Sequence, residues 1–184
     1  MRFSPILYLL PLAVAAPTLT SRAEDLAPQV LEQIGDLADA TADLTTAVNN
    51  FEGLDGGLLS LLPQSLAVIA AETKLDKMIL KSTNTVERSS NFTLTESNDI
   101  VGASAGLIGP IESSLDALIA KYPQFKRALQ APIVLLDLKI LKKHTGELIT
   151  ALTAKVDPQT AGLLGLGAGV INQAFDEAIA VYSQ

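Results

Sequence analysis

The chain has 184 residues, 48% of them hydrophobic and only 4% aromatic, with no Cys, no Trp and a formal charge of −7. That length suits one domain, whose core can bury roughly 70% of the unfolded chain's surface. Zero Cys excludes disulfides, thiolate metal sites and a Cys nucleophile; the acidic balance lacks the basic footprint of a nucleic-acid binder, and the few aromatics make no base-stacking platform.

Residues 1–15 have the layout of a secretory signal peptide rather than an apolar helix of the fold. Arg2 supplies the positive start, an apolar run covers 6–15, and Ala13 and Ala15 are the small residues before the cut. The run is too short to cross a bilayer and is interrupted by Pro11, so no transmembrane anchoring is expected. Residues 16–22 read as a flexible segment, and 23–184 as a single helical domain. Export would normally bring disulfides to a protein of this size; here stability falls to helix packing alone.

Apolar residues then recur at helical spacing. Val30, Ile34, Leu37, Thr41, Leu44, Val48 and Phe51 place one stripe along a helix over 23–51, which stops at the Gly53-Leu54-Asp55-Gly56-Gly57 turn. A second helix over 58–87 carries Leu62, Leu66, Ile69 and Thr73, continued after a phase shift by Leu75, Ile79 and Val86. The polar stretch 89–97 breaks the pattern. A third helix over 98–121 holds Ile100, Ser104, Leu107, Ile111, Leu115, Leu118 and Tyr122 on one face, with a kink expected at Gly109-Pro110 and an end at Tyr122-Pro123. The fourth, over 124–155, presents Val134, Leu138, Leu141, Thr145, Leu148 and Leu152, and Pro132 should bend or divide it. Asp157-Pro158 caps and starts the fifth, with Leu163, Val170, Ala174, Ala178 and Tyr182 on its face. No alternating strand pattern occurs after residue 22. The expected fold is all-α, an antiparallel bundle of about five long helices.

Motifs for chemistry are sparse. His144 is the only histidine; one His builds no multi-His metal site, and without a G-x-S-x-G nucleophile elbow it reads as structural or surface. The run Gly162-Leu163-Leu164-Gly165-Leu166-Gly167-Ala168-Gly169 lacks the preceding strand of a dinucleotide loop and the Lys of a P-loop. Glycines within an apolar helix, here and at Gly102 and Gly106, imply either close backbone contact or a void, since each costs about 1 kcal/mol against Ala. Asn91-Phe92-Thr93 is a glycosylation acceptor in a loop, making Asn91 the candidate glycan site. The acids fall mostly on polar helix faces, so paired-carboxylate hydrolysis is not expected; no enzyme activity, cofactor or metal is implied. Lys142 and Lys143 beside the apolar stripe read either as solvated charge or as partners for an anionic head group.

Three stretches carry a family resemblance: Val48-Asn49-Asn50-Phe51-Glu52-Gly53 closing the acidic first helix, Phe125-Lys126-Arg127-Ala128-Leu129-Gln130-Ala131-Pro132 leading into Leu135-Leu136-Asp137-Leu138-Lys139, and Ile171-Asn172-Gln173-Ala174-Phe175-Asp176-Glu177-Ala178-Ile179-Ala180. On these the chain after the leader resembles the fungal family of hydrophobic surface-binding protein A and the cell wall antigenic galactomannoproteins. The resemblance implies a secreted or cell wall associated protein. It implies adsorption to hydrophobic surfaces with recruitment of a secreted polymer-degrading esterase, or enclosure of a fatty acid in a five-helix bundle. The Ser/Thr-rich region of wall-attached members is missing here, which favours a soluble form over covalent attachment.

The composition is compatible with both. A bundle rich in Leu, Ile, Ala and Gly but poor in large rings can be underfilled, and a cavity between helices is a common ligand site. Each buried methylene contributes about 0.8 kcal/mol, so an acyl chain needs no specific polar motif. Leu107, Leu115, Leu141, Leu148 and Phe175 are the expected lining. Thr73 and Ser104, on inward stripes, either meet a carboxylate or are simply small core residues. The expected function is non-enzymatic binding of a fatty acid, another apolar ligand or a hydrophobic surface; the alternative is a structural, antigenic cell wall mannoprotein without a small-molecule ligand.

Overall fold

The structure is a computed structural model that describes residues 24–184; the signal peptide expected at 1–15 and the flexible segment at 16–22 lie outside the described residues. Six α-helices and a 3₁₀ turn follow one another: α1 Ala27–Asn49, the turn at Gly53–Gly56, α2 Leu58–Arg88, α3 Leu94–Ala105, α4 Ile108–Arg127, α5 Ala131–Lys155 and α6 Pro158–Tyr182. Among the described residues no strand forms, and one isolated bridge joins Glu24 to Ser89. The third predicted helix is thus two pieces, and α3 with α4 fills one position of a five-position bundle.

The packing partners close a ring. α1 lies between α2 and the α3/α4 pair, α6 between that pair and α5, and α5 returns to α2. Successive elements alternate direction, so α1, α3/α4 and α6 run one way and α2 and α5 the other. A ring of five helices encloses a central axis that side chains must fill.

On α1 and α5 the expected stripes are the buried faces, from Val30 to Val48 and from Val134 to Leu152. On α2 the first half is corrected. Leu62, Leu66 and Ile69 are 67%, 56% and 46% exposed, while Ser65, Val68, Leu75, Ile79, Ser82 and Val86 face inward. The inward residues keep the 3–4 step throughout, so no phase shift exists. Leucines occupy both sides of this stretch, and hydrophobicity alone selects neither. Leu163 and Val170 on α6 are likewise exposed, with Leu164 and Ile171, one position on, buried in their place.

Prolines move three boundaries. The chain breaks at Gly106-Leu107 instead of kinking at Gly109-Pro110. Pro110 would clash with the carbonyl four residues back, that of Gly106, so the helix restarts there and Pro110 falls in the first turn of α4, where its missing N–H costs least. Pro132 likewise starts α5 rather than bending it. Tyr122-Pro123 does not end α4, which runs on to Arg127. Ring packing holds that last stretch: Phe125 stacks on Phe51 with centroids 4.1 Å apart, and Tyr122 meets Tyr182 edge-on at 5.0 Å. The buried Tyr182 hydroxyl donates to the Leu118 carbonyl at 2.7 Å.

α3 begins earlier than expected, inside the polar stretch. Thr93 and Glu96 form a reciprocal capping box, with the Thr93 N–H donating to Glu96 Oε2 at 2.7 Å. At the same end Lys155 Nζ donates to the Ser89 carbonyl at 2.6 Å, and the Phe92 N–H donates to the Lys155 carbonyl at 2.8 Å. Asp157 caps α6 as expected, accepting from the Gln159 N–H at 2.9 Å.

Candidate ligand-binding site

The two ends of the bundle are filled differently. Phe51, Tyr122, Phe125 and Tyr182 occupy the end where α1, α4 and α6 finish. At the other end the facing residues come from α3, the start of α4 and the first half of α6, a stretch rich in Gly, Ala and Leu. A groove of about 510 Å³ opens there between α3, α4 and α6 and reaches α1 and α5. Drug-sized ligand sites run from roughly 300 to 1,000 Å³.

The glycines explain part of that space. Gly102 lines the groove, and a Cβ built there would meet nothing within 4 Å; Gly109, Gly162, Gly165 and Gly169 are equally unobstructed but face solvent outside it. Gly167 is the case of close approach, since its Cβ would lie 3.2 Å from Ile108 Cδ1.

The groove adjoins the interior. It shares Leu37, Leu107, Ile111, Thr145 and Leu148 with an interior cavity of about 60 Å³ that extends to Leu75, Leu115, Leu141 and Phe175. All five expected lining residues, Leu107, Leu115, Leu141, Leu148 and Phe175, border this cavity, and Leu107 and Leu148 border the groove as well. Ser104 lines the groove, and its buried Oγ has no hydrogen-bond partner. Thr73 borders neither. It lies in a shallow outer hollow beside Lys74 and Lys77, its hydroxyl 3.5 Å from the Glu72 carboxylate. The displacement follows from the corrected face of α2.

Among the described residues no charged side chain lines the groove or the inner cavity. Lys142 is paired with Asp176 at 2.6 Å and Lys143 with Glu147 at 3.4 Å, both outside these spaces. The only interior polarity comes from hydroxyls. Thr41 Oγ1 is satisfied, donating to the Leu37 carbonyl at 2.8 Å. Ser114, only 4% exposed, borders the inner cavity with its Oγ unpartnered. Ser114 escaped the sequence reading because it sits beside Leu115, the residue that marks the stripe; a helix facing a central axis buries more than one line of positions.

Between α2 and α5 a further pocket of about 90 Å³ shares Leu44, Leu118 and Leu141 with the inner cavity. It carries two carboxylates, Glu72 and Asp137, which sequence reading had left on polar faces. Burial, together with the charges of Asp137 and Asp76, pushes the Glu72 carboxyl up to about 7. Burial and the charge of Asp76 raise Asp137 as well. His144 Nδ1 lies 2.6 Å from Asp76 Oδ1, tying α5 to α2.

A distinct apolar surface covers the aromatic end. Leu58, Leu59, Leu62 and Leu66 of α2 lie exposed, as do Leu129, Ile133 and Leu136 around the start of α5. Leu129 is 84% exposed and has φ +60°, the left-handed position closing α4 that glycine usually takes.

Comparison with known proteins places this architecture. The sequence profile described as hydrophobic surface binding protein A matches residues 27–154. The chain belongs to the hydrophobic surface binding protein A family. The crystal structure of Afmp4p in complex with palmitic acid is 31% identical, with a TM-score of 0.79, over 85% of this chain and 99% of that one. Ligand binding domain 1 of the Penicillium marneffei MP1 protein, complexed with arachidonic acids, superposes with a TM-score of 0.73 at 19% identity, over 89% of this chain and 100% of that one. Ligand binding domain 2 of the same protein, complexed with multiple arachidonic acids, gives 0.72 at 19%, over 85% and 94%. The two MP1 domains share the fold. No curated protein sequence matches the chain.

Proposed function

We propose that this member of the family is exported and carries a fatty acid, or a lipid of similar shape, along the bundle axis without catalysing a reaction. The observation that carries this reading is the uncharged apolar groove adjoining the inner cavity. An acyl chain laid there gains roughly 0.8 kcal/mol per buried methylene. Its carboxylate stays at the groove mouth near Ser104 and Asn98, because burying an unpaired charge is costly. The unpartnered hydroxyl of Ser104 offers a hydrogen bond to a polar head. The palmitic acid complex of Afmp4p, 31% identical, supports the ligand class.

Native mass spectrometry after incubation with palmitate tests it. A discrete added mass is expected for the wild-type protein and for Gly165→Ala, whose new methyl meets open space. Gly102→Trp, which places a large ring in the groove, should weaken uptake tenfold or more. Uptake unchanged by Gly102→Trp would put the ligand elsewhere and end the groove assignment.

A second reading has its own observation. The exposed leucines of the aromatic end form an uncharged apolar face suited to adsorption on hydrophobic solids. The adsorbed protein would then recruit a secreted esterase to the solid. Replacing Leu59, Leu62 and Leu129 together by Ser should release the protein from a polyester film while leaving palmitate uptake intact. Asn91 is exposed in the α2–α3 loop and open to glycosylation, in keeping with a cell wall mannoprotein.

A further inference from the structure

The pocket between α2 and α5 differs from the groove in charge. Its walls are Val68 and Ile69 of α2 with Ile133 and Val134 of α5, and its floor includes Leu118 and Phe125 of α4. Two of its polar residues satisfy each other, Gln130 Nε2 donating to Ser65 Oγ. The remaining two are Glu72 and Asp137. No Lys, Arg or His borders this pocket, and among the described residues neither carboxylate belongs to an ion pair. Asp76, the third acid of the cluster, already has His144. The contact from the Thr73 hydroxyl to Glu72, at 3.5 Å, is too long to compensate a half-buried carboxylate.

Two unpaired acids on a greasy pocket are a cost to the folded protein unless they take up a proton or something else supplies the positive charge. A fatty carboxylate cannot; it would be repelled. A bare metal ion needs several converging oxygen ligands, and among the described residues no group of acids is arranged to hold one. A cation that also carries hydrocarbon meets both features of the site.

We infer that the α2/α5 pocket binds an amine-headed amphiphile, its ammonium between Glu72 and Asp137 and its tail directed inward past Leu44, Leu118 and Leu141. Those three side chains separate this pocket from the inner cavity. The protein would then take lipids of opposite head-group charge by two entrances. This inference stands on the α2/α5 pocket alone and survives if the groove proves empty of fatty acid.

Titration with dodecylamine, followed by calorimetry, is the test, with dodecanol and laurate as probes of equal chain length. In Gly102→Trp, whose groove is blocked, dodecylamine should bind at least tenfold more tightly than either. Glu72→Gln with Asp137→Asn should erase that preference, while Glu32→Gln with Asp39→Asn, two exposed acids of α1, should leave it unchanged. Palmitate uptake by the Glu72/Asp137 variant should equal that of the wild type, which separates this site from the groove. The inference is overturned if dodecylamine does not bind, if dodecanol binds as well, or if the two pairs of substitutions weaken amine binding equally, the mark of general attraction to an acidic surface.

Discussion

The two ends of this bundle are made from the same five helix positions, yet rings close one and a groove opens the other. At the closed end the Phe51 and Phe125 rings are stacked nearly parallel, with Tyr182 tilted against Phe125 at 6.3 Å. Lys121 Nζ adds a hydrogen bond to the Phe51 carbonyl at 2.9 Å, tying α4 to the end of α1. At the open end the helices are equally regular, but small residues such as Gly102, Ala105 and Ala168 leave the space between them unfilled. Ring size, not helix geometry, decides where a bundle can accept a guest. The contrast separates stability from binding at the groove rim, where Leu163 and Leu166 are exposed, while the groove floor is shared with the core through Leu37, Leu148 and Leu152.

The largest expected effect tests that separation at the closed end. Phe125→Ala removes a fully buried ring from the stack and should cost about 3–5 kcal/mol in chemical denaturation. Leu166→Ala, on an exposed residue of the groove rim, should change stability by less than about 0.5 kcal/mol. Similar losses from both would erase the distinction between the ends. Next comes the groove itself. Gly102→Trp should weaken palmitate binding by tenfold or more, about 1.4 kcal/mol, without lowering the denaturation midpoint as Phe125→Ala does.

A smaller effect comes from the acids of the α2/α5 pocket. The Glu72 carboxyl rises from its ordinary 4.5 to about 7 in the folded protein. Between those values the folded state holds the proton more tightly than the unfolded chain, so unfolding free energy must fall as pH rises. Asp137 shifts in the same direction and adds to the slope. After allowance for solvent around a half-exposed group, the loss between pH 5 and pH 8 is about 1 kcal/mol. Glu72→Gln should flatten that profile; a wild-type protein more stable at pH 8 than at pH 5 would contradict the assignment. The smallest effect concerns Leu129. Its left-handed backbone suits glycine, and Leu129→Gly should raise stability by a few tenths to 1 kcal/mol. The same change removes an exposed leucine from the adsorbing face, so film binding should fall while stability rises.

Much of the fold could be read from residue spacing, and the reasons for the exceptions are local. The stripes of α1 and α5 are unambiguous because polar residues occupy their other faces. In α2 the run Leu58-Leu59-Ser60-Leu61-Leu62 offers apolar residues on every side, so the choice of Ser65 and Val68 over Leu62 and Leu66 depended on where α1 and α5 lie. The same displacement carried Thr73 away from the interior. Leu107, Leu115, Leu141, Leu148 and Phe175 were legible as inward positions, but whether they closed on one another was not, since a gap is a property of several helices at once. Glu72 and Asp137 were hidden for the same reason: an acid looks solvated until a second helix is laid against it.

Helical periodicity, proline and glycine punctuation, and the scarcity of rings were enough by themselves to specify an all-α bundle with an apolar interior poor in large side chains. These are properties of single segments, set by backbone sterics and side-chain volume. Which end stayed open, which leucines faced water and which carboxylates lost theirs were decided only when five helix positions closed into a ring. Void, exposure and desolvation exist between elements and not within them.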